Sequence, residues 1–250
     1  MSDTRMAIPM RGHEKGLQDS QPAFILHSYP FRETSLVVEI FTRNFGRLAL
    51  VARGARRPKS TLRGVLLAFQ PLLLSWSGKS ELRTLRRAEW EGRALRLGGM
   101  ALLCGFYLNE LLLKLMPRDD PHEHLFTYYQ ETLVALGTQK NLAMVLRRFE
   151  IRLLKELGYA LALEHDAQTG EAVKADHHYR YVIEHGPVLA SGAHDELRFL
   201  GKTLLDMALG DYSDPLTVQQ SKALMRLLIN HYLGNQILHT RQLLKDMQHL

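Results

Sequence analysis

The chain has 250 residues, 46% of them apolar and 23% charged, with a formal net charge of +6. That mix excludes a disordered chain and provides enough length for one large domain or two ordinary ones. The single cysteine, Cys104, excludes an intrachain disulfide and a thiolate zinc site, and the longest apolar stretch, Met100 to Leu115, is cut by Asn109, Glu110 and Lys114, which excludes a membrane span.

Residues 1–20 mix charges with apolar residues around no apolar centre, so they read as a flexible extension and not a secretory signal. From Gln21 to Trp90 the apolar period is two, the period of strands. Ala23–Tyr29 is the first predicted strand, a turn follows at Pro30–Glu33, and Thr34–Thr42 is the second. Asn44–Phe45–Gly46 turns the chain into a third at Arg47–Arg53. Leu62–Phe69 carries a short helix. Pro71–Trp76 and Leu82–Trp90 make a second hairpin across Ser77–Gly78–Lys79–Ser80. Five short strands with a longer connection between the third and fourth fit a small Greek-key barrel of the OB type, and an SH3-like barrel has a similar strand count.

From Arg93 onward the period is that of helices. Expected helices cover Ala94–Met116, Pro121–Leu136, Leu142–Leu157, Asp195–Ala208, Leu216–Leu233 and Thr240–Met247, with Gly98–Gly99 weakening the start of the first. Residues 159–190 are loop-rich, with a small hairpin of Tyr179–Ile183 and Val188–Ala190 around His185–Gly186–Pro187. The expected fold is therefore α+β: an extension over 1–20, a five-stranded OB-type barrel over 21–92, and a helical domain over 93–250 with a loop and hairpin insertion at 159–190.

Charge is divided unevenly along this order. Residues 22–93 hold 13 bases against five acids, while residues 94–250 hold 16 bases against 18 acids. Seven basic side chains and no acid lie between Arg43 and Arg63. An uncompensated cationic stretch in a glycine- and proline-containing loop lowers its energy most by meeting a polyanion. Candidate contacts to nucleic acid are Arg43, Arg47, Arg53, Arg56, Arg57, Lys59, Arg63, Lys79, Arg83, Arg86 and Arg87, with Phe31, Phe41, Phe45 and Trp76 as candidate rings for stacking on bases. In the third helix, Arg148, Arg152 and Lys155 follow one another at i, i+4 and i+7 beside an apolar stripe. That pattern suits an acidic peptide ending in a large apolar side chain.

Catalytic chemistry finds little footing. His122 and His124 are two apart, which sends them to different helix faces. His177, His178 and His185 surround the small hairpin without cysteines, and there is no phosphate-binding G-x-x-x-x-G-K-[ST]. The expectation is a non-enzymatic protein with no metal and no cofactor.

Several segments resemble the bacterial DNA repair and recombination family RecO. They are Ala23-Phe-Ile-Leu-His-Ser-Tyr-Pro-Phe-Arg-Glu-Thr-Ser-Leu, Gly46-Arg-Leu-Ala-Leu-Val-Ala-Arg-Gly-Ala-Arg and Gln70-Pro-Leu-Leu-Leu, followed by Leu85-Arg-Arg-Ala-Glu, Tyr107-Leu-Asn-Glu-Leu, Leu146-Arg-Arg-Phe-Glu, Leu157-Gly-Tyr and Leu238-His-Thr-Arg-Gln-Leu-Leu. The resemblance runs in order from about Gln21 to Leu244. It implies a cytoplasmic, nucleoid-associated recombination mediator that binds single- and double-stranded DNA and anneals complementary strands. With RecR, such a protein helps load RecA onto strands coated by SSB. It also implies that the helical domain takes the acidic C-terminal tail of SSB. Arg147, by its place in Leu-Arg-Arg-Phe-Glu, is the carried-over contact, beside Arg148 and Arg152. Some members hold zinc through cysteines after Leu-Gly-Tyr; here that stretch reads Leu163-Glu-His-Asp-Ala-Gln-Thr-Gly-Glu, without one. The alternatives are an RNA-binding OB factor, which the same barrel would serve, and a metal-dependent phosphodiesterase.

Overall fold

The computed structural model describes residues 17–92, 95–190 and 197–248. Five strands close a barrel: β1 (Leu17–Phe31), β2 (Ser35–Thr42), β3 (Gly46–Ala52), β4 (Leu72–Ser77) and β5 (Leu82–Trp90), with a short helix α1 (Leu62–Val65) between β3 and β4. The strand order around the barrel is β1-β2-β3-β5-β4, with β3 and β5 parallel and the other neighbours antiparallel. Alternation fills it: Ala23, Ile25, Val38, Ile40, Leu48, Leu50, Leu72, Leu74 and Trp76 point inward, and Leu62 and Val65 of α1 pack against them. This is the OB-type barrel that the periodicity predicts. The first strand starts earlier than expected, since Leu17 pairs with Ser77 and so belongs to β1 rather than to an extension. The rest of the expected extension, residues 1–16, lies outside the described residues.

β1 carries a register shift between Ile25 and His27, and there the strand changes surroundings. Four consecutive residues, Ala23 to Leu26, are buried, whereas the next four, His27 to Pro30, are exposed. Ala23 and Ile25 fill the barrel, while Phe24 and Leu26 face outward into a second, larger core.

That second core belongs mostly to helices: α2 (Gly99–Leu115), α3 (Glu123–Thr138), α4 (Leu142–Glu156), α5 (Gly201–Leu209), α6 (Pro215–Leu233) and α7 (His239–Gln248). α2 is apolar on nearly every side, as a helix at a junction must be. Its Leu108, Leu111 and Leu112 share one core with Phe24, Leu26 and Phe41 of the barrel and with Phe126, Tyr129, Leu133 and Phe149 of α3 and α4. Phe24 and Phe41 each meet Phe126 with centroids 5.4 and 5.3 Å apart. Barrel and helices are thus joined through apolar packing and not merely by a linker. Asn141 caps α4 by accepting from the Met144 N–H at 3.1 Å, and Asp214 caps α6 ahead of Pro215.

The expected hairpin is one strand short of the real sheet. β6 (His178–Val182) lies between β7 (Gly186–Leu189) and β8 (Phe199–Leu200). Phe199 and Leu200, read from sequence as part of a helix beginning at Asp195, pair instead with Tyr179 and His178, and α5 starts only at Gly201. A side chain on Gly201 would collide with the Lys174 carbonyl, so a glycine lets the first residue of that helix lie against this backbone. Asp195 and the expected helix start at Ala94 lie outside the described residues.

Candidate nucleic-acid interface

The stretch 53–61 between β3 and α1 is a series of tight turns with a buried foot. Arg57 N–H donates to Gly54 O at 3.1 Å and Ser60 N–H to Arg57 O at 3.0 Å, while Gly54 takes φ +69°. Ala55 is fully buried in the barrel core, and the Arg56 N–H donates to Thr34 O at 2.9 Å. The Arg56 guanidinium then reaches the carbonyls of Arg32 and Glu33, both at 3.3 Å. The loop is therefore pinned to the β1–β2 turn, and from it Arg53, Arg56, Arg57 and Lys59 project into solvent, followed by Arg63 on α1. A fixed backbone with exposed cationic side chains suits phosphate contact, because little order is lost on binding.

Lys79 is exposed in the β4–β5 turn. Arg86 sits in the register shift of that hairpin and donates Nε to Ser77 Oγ at 2.7 Å, and Arg87 pairs with Glu89 at 2.7 Å on an exposed surface. Such a pair is weak in water and leaves Arg87 available to an anion.

Three of the expected contacts have other work. Arg47 donates Nε and Nη2 to Met116 O at 3.1 and 3.0 Å, and its Nη1 lies 3.4 Å from Glu39. Burial, then the neighbouring Arg118, hold its pKa below the ordinary value. Arg118 also bonds Glu39, and Arg83 bonds Asp119. Together they stitch β2, β3 and β5 to the α2–α3 connection. Gly46 closes the same seam: it has φ +65°, and a methyl group there would run into the backbone of Asp120. Arg43 lies 5.4 Å over the Phe126 ring beside a cavity of about 550 Å³ at the barrel–helix junction. It leaves the end of β2 opposite the basic loop, and eight strand residues at about 3.3 Å each separate the two. The eleven basic candidates are thus divided, not gathered on one patch.

Two of the four rings expected to stack on bases are corrected. Phe41 and Trp76 are wholly buried, Phe41 against the helices and Trp76 inside the barrel. Phe45 packs edge-on against Trp76 at 5.3 Å. Phe31 is half-buried, with the Arg32 guanidinium 5.3 Å over its ring. Exposed rings that sequence reasoning passed over include His27 and Tyr29 on β1. Their signal was the spacing His27, Tyr29, Phe31, which places all three on one strand face.

On α4 the three arginines separate. Arg147 is buried, its Nη2 2.6 Å from Glu150 Oε1, and Glu150 has no solvent exposure. Tyr107 donates its hydroxyl to the same oxygen at 2.7 Å. Burial raises the Glu150 pKa, opposed by the Arg147 charge and the Tyr107 hydroxyl. Arg148 and Arg152 are exposed one turn apart. Arg148 donates to Gly210 O at 2.8 Å, and Arg152 lies 4.2 Å over Tyr128. What α4 offers to solvent is the stripe Arg148, Arg152 and Lys155.

Among the described residues, no three or more His, Cys, Asp or Glu side chains converge as metal ligands, and no helix is long and apolar enough to cross a membrane. The loop after Gly158 is closed by a carboxylate. Asp166 accepts N–H groups from Gln168, Thr169 and Leu189 at 2.8, 3.0 and 2.7 Å. Burial would raise its pKa, and those three donors hold it below the ordinary value.

Comparison with known proteins places this geometry. The family model described as recombination protein O N terminal matches residues 17–93, and that described as recombination protein O C terminal matches residues 96–242. The chain is similar to the DNA repair protein RecO of Nitrosospira multiformis, 59% identical over 239 residues that cover 95% of this chain and 99% of that protein. It is 56% identical to the DNA repair protein RecO of an Azoarcus species, over 93% of this chain and 97% of the relative. It is 54% identical to the one of Burkholderia lata, over 92% and 83%.

Proposed function

The chain belongs to the recombination protein O family, and on that premise we propose that it is a DNA repair and recombination mediator that binds single- and double-stranded DNA and anneals complementary strands. The observation that carries the reading is the pinned loop whose Arg53, Arg56, Arg57 and Lys59 reach solvent with no acid between Arg43 and Arg63. Arg63, Lys79, Arg86 and Arg87 extend the cationic surface. Two strands repel each other through their phosphates, and cations that neutralise both at once lower that barrier to pairing. This action needs no catalytic group. It reads no base edges, so sequence preference is small.

In the same reading the helical region brings the barrel to SSB-coated strands. The exposed stripe Arg148, Arg152 and Lys155 takes the acidic tail of SSB, and Arg147 holds α4 from inside through Glu150. RecR and RecA are the functional partners, acting on DNA in the cytoplasm. The test is binding of labelled single and double strands over a salt series. Affinity should fall steeply with salt and be nearly independent of sequence. Salt-insensitive binding, or marked preference for one sequence, overturns the reading.

A further inference from the structure

The outer face of β1 is apolar or aromatic along much of its length, but only half of it is covered. Phe24 and Leu26 lie under the helices. Beyond the register shift, residues that pair directly across β1 and β2 share a face: His27 with Glu39, Tyr29 with Val37, Phe31 with Ser35. Glu39 points outward to Arg47 and Arg118. His27, Tyr29 and Phe31 therefore line the outer face too, at i, i+2 and i+4. Tyr29 is 41% exposed on a strand face whose continuation forms part of a core.

The surroundings of these rings are cationic. On the neighbouring strands the same outward row continues through Val51 of β3 and Thr84 of β5, paired as Tyr29 with Val37, Val37 with Val51, and Val51 with Thr84. Two residues further along β3 the chain reaches Arg53. The basic loop is fastened to the β1–β2 turn by Arg56, and Arg32 lies over Phe31. The acids nearby are Glu33 on the turn and Glu39, which is already engaged by Arg47 and Arg118.

The His27 and Tyr29 ring centroids are 6.0 Å apart, at an interplanar angle of 31°. Bases in one strand of a duplex rise about 3.4 Å each. Rings 6.0 Å apart leave less than the two such spacings that a base seated between them needs, so a base stacks on the solvent-exposed side of a ring, and a duplex, whose bases are already stacked and paired, cannot supply one. We propose that His27, Tyr29 and Phe31 form a stacking ladder for single-stranded DNA, with bases laid against the exposed sides of His27 and Tyr29 and the phosphates running past Arg53, Arg56 and Arg57. The inference rests on the DNA-binding reading above and adds to it the residues that distinguish a single strand from a duplex. Annealing gains from this arrangement, since bases held by one face keep their pairing edges free.

The test uses the full-length protein, Tyr29→Ala, His27→Ala and Tyr29→Phe, with oligo-dT and a duplex of equal length as probes. Both alanine variants remove exposed side chains, and melting curves matching the wild type exclude misfolding. The ladder predicts that each weakens oligo-dT binding about ten-fold and duplex binding less than two-fold, that Tyr29→Phe restores oligo-dT affinity, and that a 5-iodouracil oligonucleotide crosslinks under ultraviolet light within residues 27–31. Equal weakening on both probes overturns the ladder, as does unchanged oligo-dT affinity with crosslinks elsewhere; in either case the DNA-binding reading stands. If the wild-type protein binds neither probe, the DNA-binding reading fails and the ladder with it.

Discussion

Arg47 donates from both Nε and Nη2 to the carbonyl oxygen of Met116, 69 residues away, and so fastens the third barrel strand to the end of α2. It stands in the same cationic stretch as Arg56, yet its task is architectural. Arg47→Ala leaves Met116 O without that donor and Glu39 with one cation fewer. The expected cost is about 2–3 kcal/mol, or a melting temperature lower by about 4–12 °C. Arg57→Ala, on the exposed loop, should shift the melt by less than about 0.5 kcal/mol. Thermal unfolding of the two variants side by side checks this, and equal shifts would contradict it.

The buried pair Arg147 and Glu150 predicts a stability that depends on pH. Glu150 has its folded-state pKa raised by burial, so its contribution to stability is fully present below the unfolded value of about 4.3 and is lost as pH rises through the folded one. Arg147 limits that loss by pairing with the carboxylate. Arg147→Ala should therefore cost about 3–5 kcal/mol near pH 8 and clearly less near pH 5, where Glu150 can accept a proton. Denaturant titrations of both proteins at the two pH values check the sign. A cost independent of pH would mean that Glu150 does not ionise in the fold.

Asn109 secures the register shift of β1 from the helical side. Its amide donates to Leu26 O at 2.8 Å, and its carbonyl accepts from the Tyr129 hydroxyl at 2.5 Å, all three groups being buried. Asn109→Leu strands both partners at a cost of about 2–4 kcal/mol. Adding Tyr129→Phe removes one stranded group, so the double variant should be more stable than Asn109→Leu alone. Chemical denaturation of the three proteins gives the comparison.

The barrel was legible because its strands alternate cleanly and its turns carry glycine, proline and asparagine. Most helices were legible from their stripes and caps. What local pattern could not carry was whatever depends on a distant partner. Phe199 and Leu200 become a strand only because Tyr179 and His178 are beside them. Arg47, Arg83 and Arg56 are indistinguishable as arginines in a basic stretch; Met116, Asp119 and the carbonyl of Arg32 tell them apart. Phe41 and Trp76 sit on strands like any stacking ring, and only their neighbours reveal them as core. His27 and Tyr29 were hidden because no local pattern marks where the helices stop covering the outer face of β1, at the register shift between Ile25 and His27.

Charge reversal on the basic loop separates binding from folding. Arg56→Glu combined with Arg57→Glu should lower affinity for a single strand by at least ten-fold at low salt. It should reduce the slope of log affinity against log salt by about 0.7 for each phosphate that is no longer neutralised. The melting temperature should fall only modestly, because both side chains are exposed and the buried Ala55 and the backbone bond from Arg56 N–H to Thr34 O still hold the loop. An unchanged salt slope would show that the phosphates lie elsewhere.

The central claim, that this surface brings complementary strands together on SSB-coated DNA, is tested most directly by following annealing of two complementary oligonucleotides, naked and coated with SSB that either has or lacks its acidic tail. The account predicts that the wild-type protein anneals naked strands and strands coated with intact SSB, that it fails on strands coated with tail-less SSB, and that the Arg56→Glu, Arg57→Glu protein anneals neither. Binding of DNA without any annealing, or annealing undiminished by the loop reversal, would contradict it.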